Sequence, residues 1–305
     1  MSNTRAADFT DRAEAAYLGL AIGDALGATV EFMTPREIRA AFARSGGVHD
    51  EMSGGGWLRL KPGQVTDDTT MSLALGDAIL ACDGRVESLA CARAFDAWMR
   101  AKPIDIGNTV RRNLITFRKT GDPVAPPSEH DAGNGAAMRV LPVALATFGQ
   151  EADAVRAALH AQAHVTHNNP MSDAACELLT CLVQDALRGA TLRDLSRCRI
   201  RPCVAAYPAF AFRPRRRGNP SGWVVETLQA VLQALLDNGG FEACVVDVVN
   251  RGGDADTTGA IVGMLAGALY GRAALPARWI KALDPQVRTR CVAQARALVS
   301  FAQAG

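Results

Sequence analysis

Two short stretches of this chain set carboxylates and hydroxyls side by side just after glycine: Gly63-Gln64-Val65-Thr66-Asp67-Asp68-Thr69-Thr70 and, far downstream, Gly252-Gly253-Asp254-Ala255-Asp256-Thr257-Thr258. Adjacent carboxylates repel, so a fold that gathers both stretches in one place needs cations between them, and hard oxygen donors suit Mg²⁺ or Mn²⁺. The chemistry on offer is that of a two-metal site. A competing reading makes these Asp and Thr residues the N-caps of two ordinary helices, where both types are preferred. Capping accounts for one carboxylate per helix, not for two with hydroxyl neighbours.

Other polar residues gain interest from their position relative to these stretches. Glu31, in Thr29-Val30-Glu31-Phe32, follows the first helical segment and would emerge beside the acidic clusters. Asp105-Ile106-Gly107-Asn108-Thr109 leads into a helix. Gly133-Asn134-Gly135-Ala136 does so too, and a Gly-x-Gly turn before a helix can cradle a phosphate on bare amides. No strand precedes it, so it is not a dinucleotide fingerprint, and taken alone it is a plain loop. His160, His164 and His167 lie on or just after a helix that starts near Glu151. A His-x-x-x-His pair can ligate zinc, but no H-E-x-x-H accompanies it, which speaks against zinc. His167-Asn168 occupies a helix-to-helix turn, either reaching a ligand or capping the turn. Trp223 falls in the first turn of a helix capped by Ser221, either as core or as a stacking platform for a flat base. Arg213-Pro214-Arg215-Arg216-Arg217 is either a local anion site or a solvated loop.

The elements that must position these residues read as helices throughout. Ala15, Leu18, Ile22 and Leu26 recur at helical spacing, as do Leu178, Leu179, Leu182 and Val183, and Val225, Leu228, Leu232 and Leu235. Gly19, Gly23 and Gly27 form a separate stripe, repeated by Gly259, Gly263, Gly267 and Gly271. Each glycine costs up to ~1 kcal/mol of helix propensity, so a bare backbone is in use, most simply in a close helix contact. The two ridged helices are expected at the centre of the domain, against each other. There is no alternating strand pattern, tandem repeat or linker. The expected architecture is all-α, with residues 1–10 as an N-terminal tail and residues 11–305 as one compact multi-helix domain.

Bulk properties narrow the class. A chain of 305 residues with 49% hydrophobic content can bury a sizeable core, and a net charge of +2 is too balanced to imply a nucleic-acid partner. The eight cysteines form no C-x-x-C pair and read as reduced residues of a cytoplasmic protein. No signal peptide is visible, and the longest apolar run falls well short of the ~20 residues that a membrane span needs.

With these motifs in hand, the chain resembles the ADP-ribosylglycohydrolase family. The likeness is carried in order by Gly23-Asp24-Ala25-Leu26-Gly27 with Glu31, by Thr66-Asp67-Asp68-Thr69, by Asp105-Ile106-Gly107-Asn108, by Gly133-Asn134-Gly135-Ala136 with Met138-Arg139, and by Gly252-Gly253-Asp254-Ala255-Asp256-Thr257. It implies an all-α fold around a binuclear Mn²⁺ or Mg²⁺ centre with Thr66, Asp67, Asp68, Asp254, Asp256 and Thr257 as ligands. Glu31 matches the family's acidic residue beside the metals and Asp105 the one that meets the arginine. Gly133, Asn134, Gly135 and Ala136 would face the diphosphate, Trp223 the adenine, and Asn108 and His167 join the substrate contacts. Residues 126–131 and Thr166-His167-Asn168 are similar to the bacterial branch that reactivates dinitrogenase reductase by removing ADP-ribose from an arginine. That branch implies a modified protein as substrate and a nitrogen-regulatory, PII-type partner; a monomer is expected. In the expected chemistry Glu31 moves protons and Asp105 orients or receives the guanidinium, both standing outside the metal pair. The rivals are another ADP-ribosyl or nucleotide hydrolase, and a non-catalytic binding or structural relative such as a lens crystallin. The six intact ligand positions argue against the latter.

Overall fold

The two glycine stripes face each other. In this computed structural model, which describes residues 2–303, the first helix, α1 (Ser2–Gly27), lies against α13 (Ala255–Tyr270). A Cβ added to Gly23 would fall 1.9 Å from the carbonyl oxygen of Gly259, and one on Gly263 would fall 2.0 Å from that of Gly19. The same holds at both ends of the contact, Gly27 meeting Ala255 and Gly267 meeting Ala15. Only hydrogen fits at these positions, which explains six helix-weakening residues where propensity favours alanine. Gly271 leaves the stripe: it ends α13 at φ 75°. The helix expected from Asp11 begins at Ser2, so α1 takes in residues read as a tail.

Around this pair the chain wraps further helices: α2 (Pro35–Ala41), α3 (Asp67–Ala81), α4 (Ser88–Arg100), α5 (Asn108–Thr120), α6 (Leu141–Ala146), α7 (Ala152–Ala163), α8 (Pro170–Leu187), α9 (Leu192–Leu195), α10 (Arg201–Ala206), α11 (Val224–Asp237), α12 (Phe241–Val249), α14 (Ala277–Ala282) and α15 (Pro285–Gln303). One continuous core results, reaching from Ala13 on α1 to Val299 on α15. Among the described residues there are only isolated β-bridges, and no helix is long and apolar enough to cross a membrane. The cysteines are unpaired, with Cys91, Cys176, Cys244 and Cys291 buried. The arginine run is largely consumed by ion pairs: Arg213 with Asp237, Arg216 with Asp247 and Arg217 with Glu226. It is a loop paired to α11 and α12 through three of its four arginines.

Candidate metal centre and active site

Because α1 packs on α13 through bare backbone, the start of α13 is drawn beside the end of α1, and α3 starts against the same point. Asp24, wholly buried on α1, turns its carboxylate to the first turn of α3. It accepts hydrogen bonds from Thr66 N at 2.9 Å, Thr69 N at 3.0 Å and the Thr66 hydroxyl at 2.9 Å. The cap of α3 therefore comes from another helix, and Thr66, though at the N-cap position, makes no side-chain cap bond. Nor does Asp254, the N-cap residue of α13. That disposes of the reading in which these acids are ordinary caps and leaves Asp67, Asp68, Asp254 and Asp256 available for other work.

What they do is crowd together. Carboxylate oxygens of Asp67, Asp105 and Asp256 lie within 4.8 Å of one another, and so do those of Glu31, Asp254 and Asp256. Asp256 belongs to both groups. The Thr66 hydroxyl stands 3.3 Å from Asp68 and 3.4 Å from Asp256, and the Thr257 hydroxyl 3.3 Å from Asp68. Burial, reinforced by neighbouring carboxylates, pushes Asp67 up to about 7 and Glu31 up to about 8, and raises Asp68 and Asp256 well above the carboxylate range. One Asp68 oxygen is buried with no hydrogen-bond partner at all. A buried acceptor without a donor, inside a cluster driven to hold protons, is what divalent cations would relieve. Two groups sharing one carboxylate suit two ions, and the all-oxygen donor set suits Mg²⁺ or Mn²⁺.

The acids floor a cavity of about 550 Å³. Of the residues singled out from sequence, Glu31, Asp67, Asp105, Asn108, Gly133, Asn134, Gly135, His167, Asp254, Asp256 and Thr257 line it. Thr66, Asp68 and Ala136 are buried beneath that surface. Trp223 is off the wall: it is the N-cap residue of α11, its backbone pairs with Gly133, and its side chain is 47% exposed. Ser221, expected to cap α11, instead bonds Glu226. Glu31 and Asp105 were expected outside the ligand set, yet each sits within one of the two carboxylate groups.

Two further polar devices shape the walls. Asn134 donates to Asp254 at 2.5 Å and to Thr227 at 2.9 Å, which ties the Gly133–Gly135 loop to the acidic floor. His167, buried under that loop, takes part in a directed chain. Arg139 donates to the Thr166 hydroxyl at 2.8 Å, and that hydroxyl lies 2.8 Å from His167 Nδ1. Arginine cannot accept, and Nδ1 is the one acceptor paired with the Thr166 hydroxyl among the described residues, an arrangement that favours Thr166 donating to Nδ1 and the His167 proton on Nε2. Burial, then the charges of Arg139 and Arg112, push His167 down to about 3, which keeps it neutral. In that tautomer Nε2–H is a donor beside Gly133 and Gly135. Asn168 turns the other way, donating to Ala125 O at 2.8 Å, so of that pair His167 reaches the cavity and Asn168 braces the turn.

Sequence reading missed Asp24 as a part of the site, and it missed the rim. Trp57, 53% exposed, donates to Glu31 at 2.6 Å, and Phe32, 64% exposed, packs on Trp57 with ring centroids 5.4 Å apart. Arg111 lines the mouth at the N-terminal turn of α5, where backbone N–H groups also favour an anion. A charged residue inside an apolar helical stripe is the signal that could have singled out Asp24.

An all-α frame whose helix starts gather carboxylates under a cleft defines a hydrolase scaffold built for divalent cations. The chain matches the sequence model of a family described as ADP-ribosylglycohydrolase over residues 5–304. It is 48% identical over 294 residues to the ADP-ribosyl-[dinitrogen reductase] glycohydrolase of Rhodospirillum rubrum, covering 96% of this chain and 97% of the relative. It is 34% identical over 293 residues to the ADP-ribosylarginine hydrolase Tri1 of Pseudomonas putida (strain GB-1), covering 89% and 74%. A solved structure described as an ADP-ribosylglycohydrolase-related protein complex superposes with a TM-score of 0.84 at 36% identity, covering 96% of this chain and 99% of that one. The chain belongs to the ADP-ribosylglycohydrolase family.

Proposed function

We propose that this cavity hydrolyses the bond between ribose C1 and a guanidinium nitrogen, releasing ADP-ribose from a modified arginine on a protein, with dinitrogenase reductase as the target. The observation that carries this is the pair of carboxylate groups sharing Asp256 on the cavity floor, in a family member 48% identical to a relative named for that target. Thr66, Asp67, Asp68, Asp254, Asp256 and Thr257 would hold two divalent cations, Mn²⁺ or Mg²⁺. When bound, such ions grip ribose hydroxyls and lower the pKa of water.

The chain's own groups supply the rest. Glu31, held by the Trp57 indole and with its pKa raised by burial, takes the proton of the water that attacks the anomeric carbon. Asp105, at the edge of the cleft, meets the guanidinium as the bond breaks in an oxocarbenium-like transition state. The diphosphate has two holders: the Gly133–Gly135 loop with His167 Nε2–H, and the N-terminus of α5 with Arg111. A cytoplasmic, monomeric chain with a PII-type regulatory partner belongs to the same proposal.

Incubation with ADP-ribosyl-arginine and Mn²⁺, with and without chelator, tests this reading. Free arginine formed only with metal supports it; phosphate release, or no turnover, overturns it. Glu31→Gln should retain the cations and lose at least a hundredfold in kcat, the usual scale for a general acid or base. Loss of a cation in that variant assigns Glu31 to ligation instead.

A further inference from the structure

A second group of ligand-type side chains lies outside the cleft, with different donors. His160 and His164, one turn apart at the end of α7, stack with ring centroids 4.6 Å apart and planes within 15°. Asp173, from the first turn of α8, brings its carboxylate to 3.0 Å and 3.1 Å from His164 Nε2 and to 3.9 Å from His160 Nε2. One ligand atom from each lies within 4.8 Å of the others. Both imidazoles therefore aim at one carboxylate, although only His164 is close enough to bond it; at 3.9 Å, His160 is directed there without a hydrogen bond.

Zinc–ligand bonds of ~2.0–2.2 Å put the donors of a tetrahedral ion roughly 3.3 Å apart, within the range spanned here. From the juxtaposed His160, His164 and Asp173 side chains we propose a transition-metal site, with Zn²⁺, Co²⁺ or Ni²⁺ bound by two imidazole nitrogens, one carboxylate and a solvent ligand. Two nitrogens and one oxygen set it apart from the all-oxygen cleft, because imidazole favours these ions over Mg²⁺ or Mn²⁺. His-x-x-x-His stands here without an H-E-x-x-H; the third ligand comes from the next helix. All three residues are partly exposed, so an ion has access.

The consequence is mechanical. The end of α7 and the start of α8 flank the turn that carries His167 into the cavity, and an ion shared by the two helices clamps that turn from outside. Such an ion would hold the pocket wall without touching the reacting atoms.

The test uses the full-length protein with the cleft saturated in Mn²⁺. Zinc is added, excess removed by gel filtration, and bound zinc counted by atomic emission for the wild type and His160→Gln. The wild type is expected to retain one more zinc per chain than the variant, and zinc to raise the Tm of the wild type alone. Equal zinc content in the two proteins overturns the proposal. His160 makes no hydrogen bond to Asp173, so its replacement leaves the fold intact, and unchanged Mn²⁺-dependent turnover of the variant checks this. Asp173→Asn gives a second count: it should also lose the extra zinc, and retention there overturns the proposal as firmly. Cobalt in place of zinc should give visible d–d bands in the wild type that His160→Gln lacks.

Discussion

At the scale of single residues, the site depends on where protons are held. His167 is a donor toward the loop of Gly133 and Gly135 only because Thr166 occupies Nδ1, and Thr166 is oriented by the buried Arg139, which also bonds Gln162 and packs its guanidinium over Phe95. Thr166→Val removes the hydroxyl and keeps the shape. It should lower kcat/KM by about tenfold, the equivalent of one hydrogen bond of ~1–1.5 kcal/mol, chiefly through KM. Nitrogen NMR of the His167 ring should show a mixture of tautomers in the variant and one in the wild type; a single unchanged tautomer would falsify the assignment. The acids give a second expectation. Asp67 rises from the model-peptide 3.8 to about 7, so between those values the folded, metal-stripped chain holds a proton that the unfolded chain has released. Its stabilising contribution is complete below the lower value and lost as pH rises through the upper one. Urea midpoints in chelator should therefore fall from roughly pH 4 to pH 8, and Mn²⁺ should restore stability most at the upper end, where the acids are charged. A rising midpoint in chelator would contradict the buried-acid picture.

At the scale of helices, the α1–α13 contact fixes the position of every ligand. Gly23→Ala gains up to ~1 kcal/mol of helix propensity, but its Cβ would stand 1.9 Å from the Gly259 carbonyl oxygen, and neither backbone can yield without displacing Asp24 or Asp256. Overpacking of this kind costs about 1–3 kcal/mol or more, so a net loss is expected, with Tm falling by several degrees and metal affinity falling with it. Gly239→Ala, where nothing lies within 4 Å and the backbone is not left-handed, serves as a control that leaves metal affinity unchanged. Equal Tm and metal affinity for Gly23→Ala and wild type would contradict this account of the ridge. The glycine stripes were legible in sequence because their spacing is local, as were the Thr66–Asp68 and Asp254–Thr257 clusters. Asp24 acts as a cap for a helix forty-odd residues onward, a relation that no local pattern carries. The cap of α11 was harder to read: Ser221 looks like a cap, but its hydroxyl bonds Glu226, and Trp223 is the N-cap residue with its ring exposed.

At the scale of the whole molecule, α1 and α13 meet at its centre, and the cleft beside them has a charged floor and an aromatic lip. Phe32 has φ 63°, a left-handed conformation that an aromatic residue rarely adopts, and its neighbours hold it there: its N–H donates to Gly253 O at 2.7 Å, and Gly253 N–H donates to Met33 O at 3.0 Å. The same clamp that sets the second acidic stretch therefore projects an exposed ring at the mouth, against Trp57. Under the proposed function, the exposed face of Phe32 meets the surface around a modified arginine on a folded protein, which a small ADP-ribosylated amino acid does not bring. Phe32→Ser should thus leave kcat/KM for ADP-ribosyl-arginine within about twofold and lower it about tenfold for an ADP-ribosylated protein, the loss expected when one aromatic contact is removed from an interface. Trp57 is a poorer choice for the experiment, since its indole also holds Glu31 and its loss should affect both substrates. Equal losses on the two substrates for Phe32→Ser would place the ring in the chemistry of the cleft and remove the lip from protein recognition.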